Sequence, residues 1–226
     1  MKKQTLKSKS GANSRERLLE AAVDVFGKYG FEAATTRMIA KGAGVNIATI
    51  PYYFNGKDGL YHAAVTHIIE RIESRAGSTF QQMATLALNQ NLSREEALDA
   101  LENLLGTITS IMVGSSEGPR AARIILREQM DPSSTYDIIF ARIMSPIIDA
   151  ISAFLTVMLG SIPPRTAKLR AVAIIGQIMA FRVARETVLR SIGLEGYTQE
   201  EAEEIRGVIL EHTRGLIEAL SRKKAI

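Results

Sequence analysis

Few side chains in this sequence are placed to act as nucleophiles, proton shuttles or metal ligands. There is no Cys, and the three histidines are His62, His67 and His212. Without a thiol there is no cysteine nucleophile, iron–sulfur cluster or zinc finger. His62 and His67 stand five residues apart, which does not align them on one helix face, and no carboxylate completes a metal triad. There is no Gly-rich phosphate loop, no G-x-S-x-G elbow and no H-E-x-x-H pair. The paired acids Glu95-Glu96, Glu200-Glu201 and Glu203-Glu204 fall at expected helix starts, where the helix dipole accounts for them. The expectation is a protein with no catalytic residues, no metal and no cofactor, whose chemistry is non-covalent.

Charge is what remains. The formal net charge is +4, but residues 1–60 hold ten Lys and Arg against five acids, which leaves −1 for the rest. A basic quarter on a near-neutral body is the electrostatic footprint of a phosphate-binding module. A charged flexible tail gives the same sum, because Lys2, Lys3, Lys7 and Lys9 fall together at the start. The 226 residues, 46% apolar and 23% charged, suffice for one domain or two small ones with a buried core. They exclude a disordered chain, a collagen-like fibre and a disulfide-stapled scaffold. Residues 1–10 lack the apolar stretch of a signal peptide. The most apolar run, Ile147 to Ile162, is broken by Asp149 and short for a membrane span. A soluble, cytoplasmic protein with no membrane partner is expected.

The elements that carry these residues read as helices throughout, so the fold class is all-α, with about nine helices. After a flexible basic arm (1–12), the first helix starts behind Asn13, with Glu16 three residues on. Leu18, Ala22, Val25, Phe26 and Tyr29 form its inward stripe, and Gly30 ends it. A second helix begins at Thr35 or Thr36 and stops at Gly42-Ala43-Gly44-Val45. Asn46 caps a third through Phe54, and Asn55-Gly56 turns the chain into a fourth from Lys57. Longer amphipathic segments follow at about 93–113, 119–130, 133–160, 164–191 and 198–222. Breaks are expected at Gly114-Ser115-Ser116, Asp131-Pro132, Ser161-Ile162-Pro163-Pro164 and Gly193 to Gly196, and a kink at Pro146. This gives a three-helix domain at 13–56 and a larger helical body at 57–226.

Two short helices joined by a tight glycine-containing turn, at the edge of a basic segment, spell a helix-turn-helix. One helix enters the major groove only if another braces it steeply, which needs small or apolar contacts such as Ile39, Ala40, Val45 and Ile50. The residues Thr35-Thr36-Arg37-Met38-Ile39-Ala40, Ala43-Gly44-Val45, Thr49-Ile50-Pro51-Tyr52-Tyr53-Phe54 and Lys57-Asp58-Gly59-Leu60 resemble the N-terminal signature of TetR-family transcriptional regulators. So do Leu18-Leu19-Glu20-Ala21-Ala22 and Phe26-Gly27-Lys28-Tyr29-Gly30-Phe31, which extends the likeness over about residues 13–62. Arg127-Glu128-Gln129-Met130 and Gly176-Gln177-Ile178-Met179-Ala180-Phe181-Arg182 resemble the ligand domain of the CecR-like branch, as do Asn46-Ile47-Ala48 and the paired tyrosines.

The resemblance implies phosphate contacts from Thr36, Thr49, Tyr53 and Lys57, and base-edge contacts from Arg37, Ile47 and Ala48. Arginine can bind guanine bidentately, small apolar side chains can meet a thymine methyl, and hydroxyls and lysine give register without sequence information. Asn46 and Tyr52 complete the DNA-facing set, although Tyr52 and Phe54 also suit packing, and only one of Thr35 and Thr36 can cap. Pro51 departs from many relatives and removes a backbone donor inside a short helix, where distortion is expected.

The resemblance further implies a homodimer formed by the last two long helices, a near-palindromic double-stranded DNA operator, and a small-molecule effector held in the body. Candidate effector contacts are Arg127, Glu128, Gln177 and Arg182, which interrupt apolar faces, with Met112, Met130, Met144 and Phe181 beside them. Ordinary core filling suits the methionines equally, and Arg182 and Glu186 are one turn apart and can pair. The function expected is a ligand-responsive repressor released from DNA by its effector. The alternative is an architectural or cell-division DNA-binding protein on the same fold, which would occupy many sites and need no effector.

Overall fold

A computed structural model describes residues 2–114, 118–160 and 162–222. Among these the chain is all-α, with no strand. The helices are α1 (Lys2–Ala33), α2 (Thr36–Ala43), α3 (Thr49–Phe54), α4 (Lys57–Ala87), α5 (Arg94–Met112), α6 (Gly118–Met130), α7 (Tyr136–Ile139), α8 (Ser145–Leu159), α9 (Pro164–Val183), α10 (Arg185–Ile192) and α11 (Gln199–Arg222). A π-turn, Phe140–Met144, joins α7 to α8.

The boundaries differ from expectation where local signals compete. Helix α1 begins at Lys2 rather than after Asn13, because nothing in Lys2–Ser10 breaks a helix and Lys, Gln and Leu favour one. Its regular part ends at Gly30, whose φ of 81° lies outside the helical region. Tyr29, expected inward, is 45% exposed, with the Lys28 ammonium over its ring. The single helix expected over 164–191 is broken at Ala184, where φ and ψ are −94° and 25°. At the kink expected at Pro146 the helical ladder changes: the π-turn ends at Met144, and Pro146 stands in the first turn of α8. The predicted breaks at Ser115-Ser116 and Ser161 lie outside the described residues.

The chain divides into two compact units that interleave in sequence, where one cut at 56/57 was expected. The first unit combines Met1–Ile72 with Glu117–Arg142, and the second combines Glu73–Ser116 with Ile143–Ile226. In the first, α1 packs against α2 and α6 around the fully buried Leu18, Phe26, Ile39, Leu60 and Ile124. Helices α1 and α6 approach so closely at Gly27 that a Cβ there would lie 2.6 Å from the Arg120 carbonyl oxygen. In the second, α5, α8, α9 and α11 enclose Leu101, Leu104, Leu105, Ile151, Phe154, Leu155, Ile174 and Ile178.

The helical stretch Tyr136–Leu159, with a mean hydropathy of 1.8, is long and apolar enough to cross a membrane, a longer span than the run read from sequence. Its apolar residues Ile151, Phe154, Leu155 and Met158 belong to the core of the second unit, which accounts for the composition without a bilayer.

Candidate nucleic-acid interface

The first unit builds a helix-turn-helix from short-range signals. Thr35 caps α2, its hydroxyl accepting from the Met38 N–H at 3.2 Å, which leaves Thr36 free of that role. Gly44 ends α2 in the left-handed region (φ 61°, ψ 40°), and its N–H reaches the carbonyls of Ala40 and Lys41. Arg17 of α1 donates to the Gly44 carbonyl at 3.3 Å and so ties the turn to the brace. Ile39, Ile50 and Phe54 face inward at 0%, 1% and 6% exposure, and fix the two helices against each other. The guanidinium of Arg15 covers the Phe54 ring at 5.5 Å.

The chain enters α3 through a turn in which the Asn46 side chain accepts from the Ala48 N–H at 2.9 Å. The Thr49 N–H and hydroxyl both donate to the Asn46 carbonyl. Asn46 therefore caps a tight turn rather than α3 itself, which starts at Thr49. Pro51 is the third residue of α3, among the positions whose N–H has no intrahelical acceptor, and the helix continues through it to Phe54. Gly59 lets α4 start against α3: any Cβ there would strike the Phe54 carbonyl.

The outward face then carries Arg37, Asn46, Ile47, Ala48 and Tyr52, all exposed, with Thr36, Thr49 and Tyr53 half-buried beside them. Tyr52 is 81% exposed, so the packing role it shared with Phe54 belongs to Phe54 alone. The two tyrosine rings meet edge to face at 4.9 Å. Lys57 is occupied within the unit: its ammonium donates to the Glu32 carbonyl at 3.2 Å and stands over the Phe31 ring at 4.4 Å. The surface offers a guanidinium, hydroxyls and small apolar groups, the set that binds phosphates and base edges.

The eight candidate effector residues divide between the two units. Arg127, Glu128 and Met130 lie in the first unit, and Met112, Met144, Gln177, Phe181 and Arg182 in the second. Arg127 donates to the carbonyls of Phe26 (2.6 Å) and Gly27 (3.4 Å), pinning α6 to the end of α1. Glu128, only 3% exposed, accepts from the Tyr61 hydroxyl at 2.7 Å and from the Ser133 N–H and hydroxyl. Burial, and next the hydrogen bond to Glu128, push the Tyr61 hydroxyl well above the usual tyrosine range. Met130 is 86% exposed. Met112 and Phe181 pack on the core of the second unit. Glu186 pairs with Arg190 at 2.8 Å rather than with Arg182.

Two further groupings had no local signal. Glu16 and Glu20, one turn apart on α1, reach His67 of α4 at 3.8 and 3.2 Å, supplying the carboxylates that the sequence alone does not bring to a histidine. The same Glu20 oxygen accepts from Arg71 at 2.7 Å, so a guanidinium already provides countercharge there. In the second unit a cleft of about 500 Å³ is lined by α4, α5 and α11. None of the eight candidate effector residues lines it.

Comparison with known proteins places these features. Residues 18–64 match the family described as bacterial regulatory proteins, tetR family, and residues 97–220 match the C-terminal domain of the HTH-type transcriptional dual regulator CecR. CecR of Shigella flexneri is 30% identical over 218 residues, covering 94% of this chain and 95% of that protein. Among solved structures, a transcriptional regulator from Pseudomonas aeruginosa PAO1 shares the fold with a TM-score of 0.66 at 14% identity, covering 92% of both chains. AibR, solved with isovaleryl coenzyme A and operator DNA, superposes with a TM-score of 0.61 at 15% identity, covering 87% of this chain and 96% of its own.

Proposed function

Since the chain belongs to the TetR family of DNA-binding transcriptional regulators and carries the CecR-type C-terminal domain, we propose that it is a homodimeric repressor released from a near-palindromic operator by a small effector. The observation that carries the reading is the outward set on α2, the turn and α3. There Arg37, Ile47 and Ala48 are exposed and take the base-edge role in this reading, with Thr36, Thr49 and Tyr53, half-buried beside them, in the phosphate role. Asn46 and Tyr52 extend this surface. Lys57 reaches a phosphate only by leaving the Glu32 carbonyl, so its contribution is the smallest of the set.

Dimerisation is supported by an exposed apolar stripe on α9, where Leu169, Val172 and Val183 are 57%, 52% and 63% exposed. Val208 and Leu216 continue it on α11, and Gly176, Gly207 and Gly215 have open space around them for a closely approaching partner helix. Two-fold pairing presents two recognition helices to adjacent major grooves. The effector acts by population shift, binding better to a conformation whose recognition helices are out of register. Helix α4, which passes without a break from the first unit into the second, is the proposed link, and a cytoplasmic location follows from the DNA target. AibR, solved with isovaleryl coenzyme A and operator DNA, shows a small-molecule site and DNA binding carried on the same fold.

Fluorescence anisotropy on DNA from the region upstream of its own gene tests the reading. Binding with sequence preference at physiological salt is expected, weakened by about 1–3 kcal/mol in Arg37→Ala, with relaxed specificity at one base pair. Binding without sequence preference would overturn it.

A further inference from the structure

The cleft in the second unit has a chemical character of its own. Arg75 and Thr79 of α4, Asn103, Thr107 and Ser110 of α5, and Arg206 of α11 supply most of its polar groups. Its charged lining is two arginines and one acid, Glu203, so the cleft is net positive. Apolar lining is confined to small residues and Ile111, too little to hold a long hydrocarbon chain. The volume of about 500 Å³ falls within the range of small-molecule sites.

Glycine makes the cleft. Gly106 is buried in α5, and a Cβ there would lie 2.8 Å from Nε and 3.3 Å from Cζ of Arg206. The Arg206 guanidinium thus lies against the bare backbone of α5, in space that any larger residue would take. It donates from Nη1 to Glu203 at 3.0 Å, its only hydrogen bond among the described residues, while Nε is buried without an acceptor. One carboxylate oxygen does not satisfy five N–H donors, and a guanidinium whose Nε is buried beside Gly106 keeps donors for a second oxyanion. The Thr107 hydroxyl donates to the Asn103 carbonyl at 3.0 Å and keeps its lone pairs for a ligand donor.

We infer that this cleft binds a small polar organic anion, a carboxylate or a phosphate ester, with Arg206 and Arg75 on the oxyanion and Asn103, Thr79 and Ser110 on its polar body. The inference rests on the effector reading above and gives that effector a chemical class and a place.

The test is calorimetric titration of the full chain at about 150 mM salt. The probes are small carboxylates (glutarate, phthalate, citrate) and phosphate esters (glucose 6-phosphate, glycerol 3-phosphate), each beside a neutral amide or alcohol counterpart. At least one anion is expected to bind about tenfold or more tightly than its counterpart, and the two arms tell carboxylate from phosphate. Arg206→Gln should remove that preference, Arg206→Lys should restore part of it, and Gly106→Ala should weaken binding by displacing the guanidinium. Circular dichroism and operator binding confirm that each variant is folded. No binding by any anion, no preference over the counterparts, or a preference that survives Arg206→Gln would each overturn the inference. If the wild type still binds its operator specifically, the repressor reading stands without it. Anion binding that depends on Arg206 but leaves DNA affinity unchanged would keep the site and refute the effector reading.

Discussion

Replacing Tyr61 by Phe isolates one hydrogen bond. The ring keeps its edge contacts with Phe26 and Phe31, at 5.0 and 5.1 Å, so no cavity forms. The bond lost joins two buried side chains, Tyr61 at 8% and Glu128 at 3% exposure, at 2.7 Å. A hydrogen bond to a charged group contributes about 1.5–3 kcal/mol. Ser133 still donates twice to the carboxylate, which rules out the larger penalty of a fully orphaned charge, so about 2 kcal/mol is expected. That is roughly a thirtyfold change in the folded-to-unfolded ratio. Urea denaturation followed by far-ultraviolet circular dichroism suits the measurement, because the chain has no Trp. A double-mutant cycle with Glu128→Gln should show coupling of similar size. The raised Tyr61 pKa adds a signature with a fixed sign. The protonated phenol is favoured in the folded state, so its stabilisation is complete below about pH 10, the usual tyrosine value, and is lost as pH rises toward the folded value. Wild type should therefore lose stability above about pH 10 more steeply than Tyr61→Phe. A Tyr61→Phe cost under about 0.5 kcal/mol, with no coupling in the cycle, would refute the claim that this bond fastens α6 to α4.

The other predictions concern backbone approach, assembly and acid stability. Gly27→Ala should destabilise by about 1–3 kcal/mol in chemical denaturation, because its methyl meets the main chain of Arg120 rather than a movable side chain. Leu169→Glu, in the exposed stripe of α9, should convert a dimer to a monomer in sedimentation velocity while leaving the helical content unchanged. Glu96 completes a capping box with Ser93, whose hydroxyl and then backbone N–H hold its carboxyl below the usual range. That stabilisation is present above the ordinary value, about pH 4, and is lost as pH falls through the lowered one. The melting temperature of Glu96→Gln should accordingly fall less between about pH 5 and pH 3 than that of the wild type.

What could be read from sequence was whatever three or four neighbouring residues decide. The cap at Thr35, the left-handed Gly44 and the inward Ile39 and Ile50 are local choices, and they position the exposed residues of α2, the turn and α3. The resemblance to TetR regulators rested on the same residues. The break at Ala184 had no local mark, because alanine is the best helix former, and the hydroxyl of Tyr197, sixteen residues beyond Phe181, takes the Phe181 carbonyl there. Arg127 and Glu128 interrupt the apolar pattern in sequence, but their partners lie far away along the chain. Phe26 is 101 positions from Arg127, and Tyr61 is 67 from Glu128. Pairings at that separation follow from how helices stack, which periodicity does not encode. The same holds for His67, whose carboxylate neighbours belong to α1.

The interleaving of the two units bears on how the protein is made. The DNA-binding half is not finished when its own helices have left the ribosome, since α6 arrives with Glu117–Arg142 and the chain after Ile72 must be synthesised first. At about 5–20 residues per second that is a wait of several seconds. During it, the faces of α1 and α4 destined for α6 stand uncovered, and Arg127 has not yet reached the carbonyls of Phe26 and Gly27. The nascent chain thus displays a helix-turn-helix before that module is locked. Slow translation between α4 and α6 would prolong the interval in which chaperones or proteases can reach it.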